Sequence, residues 1–190
     1  MPDLKELLKD ECSYQLPDEL AEYFVNSMQE IELDAYGVLI PNGKIDTNIY
    51  FLQDGIMRHT YMNGDKEITF SFALPGTMIV SWHSYYYNKP AFYQVEACCK
   101  SKVKRMRKAE FDKLIAERPE FAQWLVSMLQ CQLYFIEMKN SLINGDAKSK
   151  FLSLVKNRPE ILQKVPLKII ASYLCIDPSY LSRIRKSCYK

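Results

Sequence analysis

Two periodicities divide the chain. In residues 3–28 apolar positions recur at helical spacing: Leu4, Leu7 and Leu8 share a face, and after Pro17 the residues Leu20, Phe24 and Met28 repeat every four. This predicts two packing helices. From about Glu30 the period becomes two, with Ile31, Leu33 and Ala35 alternating with Glu30, Glu32 and Asp34. Strand-like runs follow at 48–52, 56–62, 67–74 and 93–106, broken by Asp54-Gly55, Asn63-Gly64 and Pro75-Gly76. Asn63-Gly64 between apolar runs is a strong hairpin signal. Short strands joined by turns, without helices between them, predict a small antiparallel roll or barrel.

The second half returns to helical spacing. A short helix is expected from Ala109 and a long one over 119–144. Along the long helix Phe121, Met128, Phe135 and Leu142 recur every seven, and Trp124, Cys131 and Met138 follow the first three of them by three. That is an a/d seam of about three heptads, which predicts a dimer helix. A second stripe, Leu125, Leu129, Leu133 and Ile136, lies beside it. A helix apolar on two sides packs its own roll and a partner helix together; burial within one monomer is the alternative. Asn144-Gly145-Asp146 ends the helix, so the expected units are 1–118, a dimerisation helix at 119–145, and 146–190. A further helix over 147–156 turns Phe151, Leu154 and Val155 inward, and Arg158-Pro159 ends it.

The stretch 165–186, VPLKIIASYLCIDPSYLSRIRK, reads as two short helices and a tight turn. Pro166 precedes the first helix; Asp177 is an N-cap and Pro178 suits the first position of the second. Ile170, Leu174, Ile176, Leu181 and Ile184 are the apolar positions, and small Ala171 stands where the helices approach. That is the packing pattern of a helix-turn-helix, whose second helix enters the DNA major groove. Ser179, Tyr180, Ser182, Arg183 and Lys186 then point outward, flanked by Lys168 and Arg185. They are donors and cations suited to bases and phosphates, with Arg183 able to contact guanine in bidentate fashion. Cys175 occupies the turn position that wants positive φ, at a cost of about 1 kcal/mol relative to Gly. An αα-hairpin that only packs is the competing reading.

Charge favours double-stranded DNA as the partner. Residues 146–190 carry ten Lys or Arg against three Asp or Glu, so +7; the whole chain is +2, which leaves −5 on residues 1–145. A basic module on an acidic body is the footprint of phosphate binding. Lys100, Lys102, Lys104, Arg105, Arg107 and Lys108 form a second basic run, read as a solvated strand face rather than a DNA flank.

No catalytic residues, metal or cofactor are expected. The six cysteines include no CxxC pair, and His59 and His83 are too few for a metal-dependent, cupin-like enzyme. Neither His has a spacing that suggests a nucleophile–base pair. The cysteines read as small buried hydrophobes. No signal peptide and no apolar run of about 18 residues is present, so a cytoplasmic chain without membrane insertion is expected. Residues 77–90 concentrate aromatics, and Gly76, Trp82, His83, Tyr85, Tyr93 and Gln94 are candidates for lining a small-molecule pocket; covering one end of the roll is equally compatible.

In this order, VLIPNGKIDTNIYFLQDGIMRHTYMNGDKEITFSFALPGTMI, a long helix, and IASYLCIDPSYLSRIRK, the chain resembles the Crp/Fnr family of transcription regulators over nearly its whole length. Gly37, Gly43, Gly55, Asn63-Gly64 and Pro75-Gly76 fall where that family's roll turns. The resemblance implies an α+β protein: an N-terminal cyclic-nucleotide-binding-like antiparallel β-roll with flanking helices, a long dimerisation helix, and a C-terminal all-α helix-turn-helix domain. It implies a homodimer on a roughly palindromic DNA site, an effector pocket between roll and long helix, and contact with RNA polymerase if the protein activates. Ser179, Tyr180 and Arg183 match the base-reading positions or their neighbours. Cyclic-AMP-binding members carry Gly-Glu and then Arg-Ser or Arg-Thr after the Pro-Gly turn, whereas here the segment reads GTMIVSWHSYYYNKPAFYQVEA. No Arg lies between Arg58 and Arg105, and the nearest Lys is Lys89, so a cyclic phosphate would lack its charged partner. Of the N-terminal cysteine set of cluster-binding members, only Cys12 is present. The alternative is a ligand-sensing module of the same fold without sequence-specific DNA binding.

Overall fold

The computed structural model describes residues 3–10, 13–143 and 146–188, with the side chains of 10, 139–143 and 188 outside the description. It is an α+β chain. Helices α1 (Leu4–Asp10) and α2 (Asp18–Asn26) precede strands β1 (Gln29–Leu33), β2 (Val38–Ile40), β3 (Ile49–Asp54), β4 (Met57–Asn63), β5 (Lys66–Ala73) and β6 (Met78–Ile79). Helix α3 (Trp82–Tyr87), strands β7 (Gln94–Ala97) and β8 (Ser101–Met106), and helix α4 (Lys108–Glu117) complete the roll. The long helix α5 (Pro119–Ile143) leads to α6 (Ala147–Asn157), α7 (Pro159–Lys164), α8 (Leu167–Leu174) and α9 (Pro178–Cys188).

The strands form two antiparallel four-stranded sheets, ordered β1-β8-β3-β6 and β2-β7-β4-β5. Tyr50, Leu52 and Val103 of the first meet Met57, Ala73 and Val95 of the second in a shared core. β3 is buried on both faces, because Ile49 and Phe51 point the other way, into the helices. That explains why it reads as a continuous apolar run instead of an alternating one. Phe24 of α2 is the hub there, with ring centroids 4.8 Å from Phe121, 5.4 Å from Phe51 and 5.5 Å from Trp124.

Gly55 holds the β3–β4 turn at φ 97°, and a Cβ there would stand 2.8 Å from Ser101 Cα, so only Gly fits. The β4–β5 hairpin is present, but its two central residues are Gly64 and Asp65, since Asn63 pairs with Lys66. Residues 77–90 are not a plain loop. Ser81 caps α3 by accepting the Ser84 N–H, and Asn88 closes it in the left-handed region at φ 51°. α7 also departs from expectation: Pro159, read as a stop, sits at the helix's first position and starts it.

The third core belongs to the C-terminal helices. Phe151, Leu154, Ile161, Val165, Ile170, Leu174, Leu181 and Ile184 pack together and onto Ile56, Leu74 and Cys98 of the roll. α8 therefore lies against β5, the edge strand of its sheet. Ser172 Oγ accepts the Thr69 N–H at 2.9 Å, and the Tyr173 and Phe72 rings sit 4.8 Å apart. Among the described residues no helix is long and apolar enough to cross a membrane.

Candidate nucleic-acid interface and internal cavity

α8 and α9 make the expected helix-turn-helix. Cys175 stands at φ 57°, ψ 42°, and the Ile176 N–H returns to Ala171 C=O at 3.0 Å. Asp177 accepts the N–H groups of Ser179 (2.8 Å) and Tyr180 (3.2 Å), capping α9. The Ser179 hydroxyl also donates to Asp177, and these bonds hold its carboxyl below the usual range. Ser179 is thus partly a capping residue, a role that outward periodicity alone does not reveal.

Leu181 and Ile184 are buried, which turns Tyr180, Arg183 and Lys186 outward on one face. The Arg183 guanidinium lies 5.4 Å from the Tyr180 ring centroid, a cation–π contact within one helical turn. Arg185 and Lys168 are exposed beside this face and Ser182 is half-buried. The second basic run is occupied otherwise. β8 pairs with β1, and Lys102 and Lys104 meet Glu30 at 3.4 and 3.2 Å, while Lys102 also meets Glu32 at 2.7 Å. The lysines of this strand face are paired with β1 carboxylates, and Arg105 donates to Gln29.

The seam drawn along α5 needs correction. Phe121 and Trp124 are 0% and Met128 2% exposed, all inside this chain's own core. Their aromatic and apolar bulk fills the space between α2 and the roll, so they cannot face a second chain. Cys131 and Met138 are half-buried and Phe135 is 39% exposed. The Leu142 side chain lies outside the described residues. The exposed stripe is Val126 (55%), Leu133 (60%) and Ile136 (54%), with Leu129 half-buried between them.

A cavity of about 480 Å³ opens where the roll, α5 and the C-terminal helices meet. The roll contributes His59, Phe70, Phe72, Trp82 and Tyr93; α5 contributes Gln132, Phe135 and Ile136; Arg158, Leu154 and Tyr173 close the far side. His59, Phe70 and Tyr93 form a ring trio with centroids 5.4 to 5.7 Å apart. The Tyr93 hydroxyl donates to Val80 C=O at 2.8 Å, and burial pushes its pKa up. Gln132 donates to Met78 C=O at 3.1 Å.

Of the six pocket candidates, Trp82 and Tyr93 line this cavity and the other four do not. Gly76 makes a backbone turn, donating to Leu52 C=O at 2.8 Å. His83 bonds Pro90 C=O at 2.8 Å and stacks on Phe92 outside it. Tyr85 donates to Asp112, and Gln94 to Glu96 at 2.7 Å. His59, Phe70 and Phe72 were missed because strand pairing and the docking of α8 bring them there, which no local pattern records.

Arg58 is also committed. It is buried on the sheet's outer face, where its Nη2 meets Glu96 at 2.5 Å and Glu67 at 2.7 Å and its Nη1 donates to Thr69 at 3.0 Å. Cys98 is buried, which pushes its thiol up to about 12, so it is a poor thiolate source.

Two facing antiparallel sheets, a long helix across their end and a terminal helix-turn-helix define the fold of the Crp/Fnr-type regulators. The chain is similar to FixK2 of Bradyrhizobium japonicum at 15% identity, covering 85% of this chain and 84% of that one with a TM-score of 0.69. It is similar to the c-di-GMP responsive global regulator CLP of Xanthomonas campestris at 13% identity, over 91% and 92% of the two chains, with a TM-score of 0.72. The catabolite activator protein of Thermus thermophilus matches at 14% identity over 90% and 83%, with a TM-score of 0.56. No protein-family model and no curated protein matches the sequence.

Proposed function

We propose that this protein is a homodimeric, sequence-specific DNA-binding transcription regulator whose HTH is set by a small molecule in the junction cavity. The observation that carries the reading is the division of α9: Leu181 and Ile184 are buried, while Tyr180, Arg183 and Lys186 form an outward face with no acidic residue on it. A helix used only for packing has no need of two cations and an aromatic on its free side. In this reading residues 1–118 sense, 119–145 pair two copies and 146–190 read DNA, and the first half of α5 also completes the roll's core. The pairing seam is Val126, Leu129, Leu133 and Ile136, spaced three and four apart. Two such seams side by side place two α9 helices on successive major grooves. Such a regulator works in the cytoplasm, and if it activates it touches RNA polymerase.

Among the described residues the roll's wall of the cavity carries no Lys or Arg. An anionic effector therefore has no charged partner on the roll side of the cavity. The test is selection of random duplex DNA on the purified protein, with and without small-molecule extract, followed by sequencing. An enriched palindrome with half-sites about one helical turn apart is expected. Enrichment under neither condition would sink DNA reading and leave a ligand-sensing module.

A further inference from the structure

The cavity's walls are chemically one-sided. Phe70, Phe72, Trp82, Tyr93 and Phe135 make its body aromatic, and no Asp or Glu lines it among the described residues. The cations on its wall, Lys150 and Arg158, both belong to the C-terminal helices. Arg158 is half-buried at the α6–α7 corner, where its backbone is pinned twice. Its N–H donates to Leu154 C=O at 2.9 Å and its C=O accepts the Ile161 N–H at 3.2 Å. The guanidinium lies 4.8 Å from the Phe135 ring centroid, and among the described residues neither Arg158 nor Lys150 forms an ion pair. Arg58, which is buried, has two carboxylates, and Arg105, half-buried like Arg158, donates to Gln29. A partly desolvated cation beside a ring face and without an ion pair gains from an anion, and a planar fork gains most from a carboxylate or its like.

We infer that the cavity takes an aromatic monoanion, an aryl acid whose ring system lies among Phe70, Phe72 and Tyr93 and whose acidic head meets Arg158. The inference rests on the effector reading above and names that effector's class. Such a ligand touches the roll, α5 and the helix-turn-helix module at once. Its binding therefore favours the docked arrangement in which Arg158 faces the roll, which is how occupancy biases where α9 stands.

Two fluorescent probes with one ring system test this on the full chain. Anilinonaphthalene sulfonate is anionic and phenylnaphthylamine is neutral. Both are expected to bind, and naphthoate to displace the anionic one. Arg158→Gln is expected to weaken the anionic probe about tenfold and leave the neutral probe unchanged, with Arg158→Lys restoring much of the loss. Ser71→Trp, which fills the cavity, is expected to abolish both, with thermal melting confirming that each variant folds. An equal effect of Arg158→Gln on both probes, or none on the anionic one, overturns the aryl-acid assignment and leaves the effector cavity standing. Binding by neither probe, or binding indifferent to Ser71→Trp, overturns the assignment and the effector cavity together; DNA reading is judged separately by the duplex selection.

Discussion

Ser172 Oγ accepts the backbone N–H of Thr69 at 2.9 Å, across 103 residues of chain. Thr69 lies on β5, the edge of its sheet, where one row of backbone groups has no strand partner. A hydroxyl from α8 supplies the missing acceptor and fixes the first helix of the helix-turn-helix to the roll. Ser172→Ala is expected to cost about 1 kcal/mol and to speed amide exchange at Thr69. Unchanged exchange there would mean that α8 does not rest on β5 in solution.

The two faces of α5 give opposite expectations. Leu133→Asp puts a charge on an exposed apolar stripe, so it is expected to yield a folded monomer with little loss of melting temperature. Phe121→Ala empties a fully buried site beside Phe24 and is expected to cost about 3–5 kcal/mol while the surviving folded protein keeps its dimer contacts. Sedimentation of both variants decides the matter. A Leu133→Asp dimer of unchanged affinity would remove the seam.

The sequence could not choose between those faces. α5 has apolar residues on several sides, and a heptad count passes equally well through Phe121-Met128-Phe135 and through Val126-Leu133 with Leu129-Ile136. The larger side chains drew the count, yet large aromatics are what a monomer core needs. Where one residue type answers one local demand, the reading succeeded: Cys175 in the turn, Asp177 at the cap, Gly55 at the break after β3. Elements were missed where the signal was positional. Pro159 both ends and begins a helix, and α3 is only six residues long, capped by Ser81 and closed by Asn88. The cavity was only partly legible. Trp82 comes from an aromatic-rich stretch and Tyr93 from just beyond it, but His59 and Phe70 arrive from the β4–β5 hairpin and Arg158 from the α6–α7 corner.

Arg183→Ala is expected to lower affinity for a selected DNA site by about 1–3 kcal/mol and to relax preference at one base pair. Arg185→Ala, exposed beside the outward face, is expected to weaken all sequences alike and flatten the salt dependence. Binding titrations on the selected site and its single-base variants at two salt concentrations separate the two. Equal loss on every variant for Arg183→Ala would make it a phosphate contact.

Burial raises the Cys98 thiol to about 12, above its ordinary value of 9.0. The folded state therefore holds this proton more tightly than the unfolded chain does. Its contribution is fully present below about pH 9 and is lost as pH rises towards 12. Cys98→Ala is expected to flatten that alkaline loss of stability. At neutral pH iodoacetamide is expected to label exposed Cys175 in the native protein and Cys98 only on unfolding. Native labelling of Cys98 would show that the core between α8 and the roll opens readily.

Cys175 holds φ 57° and ψ 42° with its side chain exposed. The left-handed region costs a residue with a Cβ about 1–2 kcal/mol, and Gly nothing there. Gly in turn adds freedom to the unfolded chain, worth about 0.4–1 kcal/mol against folding. The first effect is the larger, because an exposed side chain gives up little packing when removed. Cys175→Gly is thus expected to raise stability by about 0.5–1 kcal/mol, read as a higher denaturant midpoint at unchanged slope. Cys175→Val should move the midpoint the other way, since a β-branched residue tolerates positive φ least. If Gly lowered the midpoint instead, the turn between α8 and α9 would not have this geometry, and the spacing that places Tyr180 and Arg183 on one face would have to be redrawn.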